Sequence, residues 1–593
     1  LQYADGRPFF YLGDTAWELF HRTTREEARL CLEDRARKGF TVIQAVCLAE
    51  RDGLRVPNAY GDLPFADAGF TRPNERYFTY VDEVVAMADS LGLVIGLLPA
   101  WGDKFCLKWG PGPEIFTTEG RAEAFGRYLG ERYRIRRNII WILGGDRPPE
   151  GREPILRAFA RGIACGVAGR EDYSACLITY HPWGKSSSGD WLHDEPWLAF
   201  NMQQNGHAYD FDLWERIARD YARRPVKPVL DGEPIYEEHP IDFDREKYGT
   251  SEALHVRRAF YHEVFSGACG HTYGCHAVWQ MWEPGRYAPV TGPVRSWRES
   301  LSLPGAYQVC YGRELIESRP FFRRIPDQGV IAGDAGRGHG RCTATRDSLG
   351  TYAMVYSESG RPFAVDLERV SGKRIVAWWY DVRSGRTVTY TAAHGLASNS
   401  VYSLLADAKN GLVWAGSAES GLSKIRYTDS GSGIEVEVVR QDSAPFALSD
   451  NHVWCLRMTR DGTLWVGTDA GLNRMTVDGG EIRAVEHIHS PELEDAKILA
   501  ITEDLAGDLW LNGSQGLYRY QPATGRVKRY VSDDGLQSNT WTEGAAVSDN
   551  GWLFVGGING INYFNPSDFR TDPYPGEPMF TGLKVFGQRV APG

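Results

Sequence analysis

Over the first 325 residues, hydrophobic positions alternate between two patterns. One is a short, almost unbroken apolar run, at 8–15, 40–48, 93–101, 138–146, 175–182, 198–205, 227–234 and 271–282. The other is a longer stretch with apolar residues three and four apart, such as Val81, Val84, Val85, Ala88 and Leu91 ahead of Gly92. Unbroken runs fit parallel strands covered on both faces, and the wider spacing fits the amphipathic helices that cover them. The first helix is marked by a Thr24–Glu27 capping box and ends at Gly39. Further helices are predicted near 119–134, 153–168, 211–223 and 251–266. Eight strands interleaved with helices predict a (β/α)8 TIM barrel. A doubly wound open sheet is the main rival. It loses support because no GxGxxG or GxxxxGK[ST] phosphate loop follows the first run.

Past residue 325 the helical spacing disappears. Residues 326–392 read as short strands with turns at Gly360, Gly372 and Gly385. A repeat follows. Trp414, Trp465, Trp510 and Phe554 recur at intervals of 51, 45 and 44 residues, each ahead of a Gly-Leu or Gly-Ile step at 421, 471, 516 and 560. Strand-rich repeats of this length fit an incomplete β-propeller of about four blades. Such an open ring leaves edge strands unpaired unless something covers them.

Composition narrows the functional classes. With 42% hydrophobic and 24% charged residues, the chain is that of a folded protein. Its 66 basic and 77 acidic residues leave a net charge of −11 with no long basic run, which argues against nucleic acid as a partner. No apolar stretch reaches the roughly 18 residues needed for a transmembrane helix, and the longest, Leu91 to Trp101, is interrupted by Gly and Pro. The ten cysteines form no CxxC pair and read mostly as small buried hydrophobes; their disulfide pairing cannot be read. The 66 glycines and 19 tryptophans suit tight turns and aromatic binding surfaces.

In barrels of this kind the active site lies at the C-terminal strand ends. Those ends carry Asp14, Gln44, Trp101 with Asp103, Asp146, His181, Gln204, Glu233 and Gln280, with Trp17, His207 and Tyr236 close by. Carboxylates, amides, imidazoles and indoles suit sugar hydroxyls and ring faces. A clustered His/Asp metal set and a GxSxG elbow are both missing, so no metal or cofactor is predicted. Glycoside cleavage needs one protonated carboxyl for the leaving oxygen and one carboxylate for the anomeric carbon. Asp146 ends the fourth run and Glu233 the seventh, and a closed barrel brings both to one mouth. Each also has a structural alternative: Asp146 pairing with Arg147 or capping a helix, and Glu233 neutralising a neighbour.

Several segments in order, GRPFFYLGDTAWELFHR, KGFTVIQAVCLAERDGLRVPNAYGDLPF, LLPAWGDK, NIIWILGGDRP, FNMQQNGH and KPVLDGEPIYEE, resemble the apiosidase-like glycoside hydrolases of family 140. The resemblance spans about residues 5–325. It implies a (β/α)8 barrel with retaining chemistry on β-apiosides of pectin, particularly side chains of rhamnogalacturonan II. It implies Asp146 of GGDRP as acid/base and Glu233 of DGEP as nucleophile. Asp14, Trp17, Gln44, Trp101, Asp103, His181, Gln204, His207, Tyr236 and Gln280 are then substrate-binding candidates. The following segment resembles the collagen-binding-like sandwich that accompanies such barrels. The repeats resemble the two-component regulator propeller of hybrid sensors, and PMFTGLKVFGQRV resembles the start of a three-Tyr sandwich.

The expected organisation is therefore a catalytic barrel at 1–325, a truncated sandwich at 326–392, propeller repeats at 393–570 and a three-Tyr start at 571–593. The leading expectation is a retaining glycosidase with an oligosaccharide or polysaccharide substrate. The alternatives are a carbohydrate-binding sensor module, or a fusion of two partial genes with only the barrel functional. The resemblance implies a periplasmic or secreted protein, although no signal peptide is visible.

Overall fold

The computed structural model describes residues 1–593 except 209–212, 362, 373–374, 376, 389, 408, 428–433, 494–495, 549, 569–582, 586–587 and 591–593. The chain divides into two compact units, Leu1–Val388 and Thr389–Gly593.

The first unit holds eight parallel strands: β1 (Tyr11–Thr15), β2 (Val42–Leu48), β3 (Val94–Ala100), β4 (Ile139–Gly144), β5 (Ile178–His181), β6 (Asn201–Gln204), β7 (Val229–Asp231) and β8 (Gly270–Tyr273). Six pair in the order β5-β4-β3-β2-β1-β8, and β6 pairs with β7. Backbone hydrogen bonds join the two groups at both seams, from Ala199 N to Ile178 O (2.8 Å) and from Cys269 N to Val229 O (2.9 Å). The arrangement is that of a TIM barrel.

Helices α1 (Arg25–Lys38), α2 (Glu75–Ser90), α3 (Glu119–Tyr133), α4 (Glu153–Ala168), α5 (Leu213–Tyr221), α6 (Ala253–Phe265) and α7 (Pro304–Glu317) follow the strands. Only the β5–β6 connection is reduced, to one turn at Gly189–Leu192. The predicted Thr24–Glu27 capping box is present, and Gly39 closes α1 in the left-handed region. The eighth run behaves differently from its expectation. Its strand stops at Tyr273, and His276–Trp279 forms a helical turn. The chain leaves the sheet at Gly274, where an added Cβ would meet the Tyr236 ring at 1.9 Å.

Strand alternation sorts the side chains into two cores. Tyr11, Val42, Val46, Leu98, Ile142 and Met202 fill the barrel interior. Leu12, Ile43, Ala45, Cys47 and Leu97 face outward onto the helices. Beyond the barrel, a three-stranded antiparallel sheet (Arg324–Pro326, Cys342–Asp347, Ala353–Ser357) packs on α6. Tyr356 stacks on Tyr261 at 4.7 Å, and His262 bonds Thr343 Oγ1 at 2.7 Å. Two smaller strand pairs complete this unit.

Among its described residues the second unit contains three four-stranded antiparallel sheets, one of three strands and a strand pair, Leu583–Val585 with Gln588–Val590. Sheet 1 is Val401–Asp407, Leu412–Ser417, Leu422–Tyr427 and Ile434–Val439. Sheet 2 is Val453–Met458, Leu464–Thr468, Gly471–Asp478 and Glu481–His487. Sheet 3 is Ile498–Glu503, Leu509–Gly513, Gly516–Gln521 and Arg526–Tyr530. Sheet 4 is Trp541–Val547, Leu553–Gly557 and Gly560–Phe564. In each, the first strand pair carries an irregularity just after its first residue, at Val401, Val453, Ile498 and Trp541. The expected three-Tyr start at 571–593 lies mostly outside the described residues.

Candidate active site

The turn after β4 is built around two glycines. Gly144 and Gly145 have φ of 91° and 120°, and a Cβ would meet His181 O at 2.4 Å and Trp101 at 2.8 Å, respectively. Only glycine fits such approaches at positive φ. They turn the chain so that Asp146, itself at φ 53°, reaches the mouth with about a third (31%) of its side chain exposed. Asp tolerates this left-handed conformation better than most residues.

Glu233 follows β7 and is buried. Its Oε1 accepts from Tyr236 OH (2.7 Å) and its Oε2 from Gln204 Nε2 (3.0 Å). His181 Nε2 lies 3.1 Å from Oε2 and His207 Nε2 lies 3.5 Å from Oε1. Trp17 Nε1 donates to Tyr236 OH at 2.9 Å, orienting that hydroxyl toward the carboxylate. Below, the Glu233 amide donates to Asp231 Oδ1 (3.0 Å), and Asn205 Nδ2 donates to Asp231 Oδ2 (2.8 Å) and Glu263 Oε1 (3.1 Å).

One imidazole joins the two carboxylate loops. His181 Nδ1 accepts from the Asp146 amide at 3.2 Å. The neutral ring therefore carries its proton on Nε2, on the side of Glu233. Trp17 and Trp101 pack around this ring, at 5.5 and 5.8 Å between centroids.

The two carboxyl groups are driven apart electrostatically. Burial pushes Asp146 up to about 6, assisted by the charge of Glu233 and opposed by Arg147, His181 and Trp109. Burial also opposes ionisation of Glu233, but the imidazoles of His181 and His207 beside it outweigh this and hold the group well below the usual carboxylate range. At mildly acidic pH the site thus holds one protonated carboxyl and one carboxylate, the pair that glycoside cleavage uses.

Six predicted residues meet around this pair: His181, Gln204, His207, Tyr236, Trp17 and Trp101. His207 also stacks on His239 at 4.0 Å. The other four candidates sit elsewhere. Asp14 faces the helices, where its Oδ2 accepts from Arg35 Nε at 2.5 Å; both side chains are fully buried. Its parity with Leu12 puts it on the outer face. Gln44 lies inside the barrel, its Nε2 donating to Gly232 O (3.1 Å) and Thr272 Oγ1 (3.0 Å). Asp103 is buried against Lys104 Nζ (2.7 Å) and accepts from Gly112 N (3.0 Å), holding the 102–112 loop. Gln280 bonds His276 O, Val290 O and Val290 N, and so pins the 276–290 segment.

Two mouth residues, Trp109 and Glu50, escaped the strand-end reading, and Arg147 entered it only as a partner of Asp146. Trp109 Nε1 donates to Asp146 Oδ2 at 3.2 Å, and its ring lies parallel to Trp183 at 6.3 Å. The Arg147 guanidinium packs 4.0 Å from the Trp109 ring centre, while its Nη1 donates to Asp146 O at 2.7 Å. Glu50, two residues past β2, is pushed up to about 7 by burial and by the charge of Asp146. An exposed Trp inside the Gly- and Pro-rich stretch KWGPG was the available signal for Trp109.

The ten cysteines are free thiols. No group of three metal-ligating side chains occurs among the described residues, and no helix among them is long and apolar enough to cross a membrane.

Known proteins resemble this chain over both units. The family model "Apiosidase-like, catalytic domain" matches residues 1–323. "Putative collagen-binding domain of a collagenase" matches 325–410, and "Two component regulator propeller" matches 447–470. A solved structure described as a glycoside hydrolase is 35% identical with a TM-score of 0.59, the match covering 65% of this chain and 87% of that one. A glycoside hydrolase family 5 structure from Bacteroides vulgatus is 30% identical with a TM-score of 0.59, covering 73% of this chain and 90% of that one. The curated relative "Histidine kinase P4" of Formosa agariphila is 32% identical over 230 residues, 31% of this chain; the match spans only 17% of the kinase. The catalytic-domain match takes in more than half of the sequence, and the chain belongs to the apiosidase-like family and is a glycoside hydrolase.

Proposed function

We propose that the barrel hydrolyses a pectic glycan with retention of configuration, releasing β-linked apiose, with Glu233 as nucleophile and Asp146 as acid/base. The observation that carries the residue assignment is the shared imidazole: His181 accepts from the Asp146 amide and sets its Nε2 beside Glu233. Glu233 attacks the anomeric carbon and forms a glycosyl ester. Asp146, held protonated by burial, gives its proton to the departing oxygen. Asp146 then takes a proton from water, which attacks the ester and frees both the sugar and Glu233. Tyr236, Gln204 and the two imidazoles balance the Glu233 charge before attack and after release. Trp109, beside the acid, belongs on the leaving-group side, since the proton is delivered there. The sugar rests on the resemblance of the motifs to apiosidases and on the family description.

Incubation with pectic oligosaccharides, with the product anomer followed by proton NMR during the first turnovers, tests this reading. Release of the β-anomer of apiose is expected; the opposite anomer overturns retention, and an untouched panel overturns the substrate.

We read the four sheets of the second unit as blades of a regulator-type propeller, on the strength of the Trp repeat and the match at 447–470. A plant-wall substrate fits a protein that works outside the cytoplasm. The domain limits that go with these readings are 1–325, 326–392, 393–570 and 571–593.

A further inference from the structure

The Glu233 turn stands on a second, deeper pair of carboxyls. Asp231, the last residue of β7, shares parity with Val229 and faces outward, while Leu230 between them fills the barrel interior. There it meets Glu263 of α6 and His271 of β8. All three side chains are fully buried.

Donors and acceptors can be counted in this pocket. Arg216 Nη1 donates to Asn205 Oδ1 at 2.6 Å, which leaves Asn205 Nδ2 as a donor of two hydrogens. One goes to Asp231 Oδ2 (2.8 Å) and the other to Glu263 Oε1 (3.1 Å), so both carboxyls crowd one nitrogen. His271 Nδ1 lies 2.8 Å from Glu263 Oε2, and its Nε2 is buried with no hydrogen-bond partner. The tautomer with its proton on Nδ1 makes a charge-assisted bond there and strands no N–H. Glu263 thus accepts at both oxygens, as a carboxylate does.

Asp231 Oδ1 accepts from the amides of Glu233 (3.0 Å) and Asn205 (3.5 Å), and the carboxyl also hydrogen-bonds to Glu263. Two carboxyls in contact cannot both ionise in a buried pocket, so one proton stays between them. Burial and the charge of Glu263 push Asp231 in that direction, well above the usual carboxylate range.

We propose that Asp231 is a positioning residue for the nucleophile: a neutral carboxyl whose hydroxyl is donated to Glu263 and whose carbonyl oxygen holds the Glu233 and Asn205 amides together. That oxygen ties the end of β6 to the end of β7, and so sets Gln204 Nε2 against Glu233 Oε2 at 3.0 Å. An uncharged Asp231 also spares Glu233 a like charge two residues away, which would oppose its ionisation. Facing the helices, Asp231 acts through Glu233 rather than on the sugar. The inference rests on the reading of Glu233 as nucleophile and adds the group that holds it.

Infrared spectroscopy and kinetics of the full chain test it together. At about pH 8, above the titration of Asp146 and Glu50, the wild type should show a protonated-carboxyl C=O stretch. Asp231→Asn and Glu263→Gln should each remove that band, because either change leaves one carboxyl and no need for the proton. The double variant should lose no more than either single one. Asp231→Ala, which takes away the amide acceptor, should lower kcat about 10²-fold with KM little changed. Asp231→Asn keeps an oxygen for the Glu233 amide and should recover about tenfold of that loss. No such band in the wild type, or bands lost additively, overturns the shared proton whatever Glu233 does. An unchanged kcat in Asp231→Ala overturns the positioning role. A band that is present while Glu233→Gln keeps full turnover overturns the nucleophile reading instead, and with it the role of Asp231. The infrared comparison uses only isosteric variants, so it stands even if Asp231→Ala does not fold.

Discussion

In the barrel every strand has a hydrogen-bonded neighbour on both sides, and residues far apart in sequence converge on one mouth. Asp146 and Glu233 share one histidine because the strand order closes. In the sheet array each sheet pairs only within itself and touches the next through a Trp and a Leu. Closure gives the barrel an inside, and with it a place to bury and tune charged groups. The described sheets of the array have only their repeated contacts. The same residue type consequently has a fate set by position in the circuit: Trp465 is buried, and Phe554 at the matching position is exposed.

The largest expected effect tests the barrel half of this contrast. Glu233→Gln keeps the shape but removes the charge that Tyr236, Gln204 and two imidazoles surround, and turnover on the true substrate should fall by about 10⁴-fold or more. Intact turnover would remove Glu233 from the chemistry. Asp146→Asn should cost about 10²–10⁴-fold, and much less on an aryl glycoside whose leaving group needs no proton. Since the protonated form is the working one, wild-type kcat/KM should decline as pH rises through about 6, and the Asn variant should lack that limb.

Stability sharpens the contrast further. Arg35→Met leaves Asp14 buried without its partner and should cost the barrel about 3–5 kcal/mol in denaturant unfolding. The transition of the second unit should not move. Trp465→Ala should reverse this, costing the array about 3–5 kcal/mol. Phe554→Ala, at the matching but exposed position, should change stability by less than about 0.5 kcal/mol. Equal losses at both positions would break the comparison between buried and exposed positions of the repeat. The smallest effect is expected from Trp109→Phe: it removes the donor that favours the Asp146 carboxylate, so the basic limb should shift to higher pH with the ring stacking retained.

Much of the site was legible because short runs ending in a polar residue are a local signal. GGD and GEP each announce a turn and a carboxylate, and parity alone would have moved Asp14 to the helix side, in step with Leu12. Gln44, Asp103 and Gln280 are harder, since an amide or carboxylate at a strand end reads the same whether it meets a sugar or a backbone carbonyl. Trp109 was hidden because its loop is placed by Arg147, 38 residues later, and by Asp103, which accepts from Gly112.

By itself, the sequence determined the alternation of strands and helices, the capped start of α1, the two candidate carboxylates and the repeat of the sheets. These follow from local propensity and periodicity, which need no knowledge of distant contacts. Tertiary structure decided which carboxylate is protonated, which strand-end residues face solvent and which repeats are covered. Each of those depends on burial and on charges brought together across the ring or between sheets, quantities that no short stretch of chain contains.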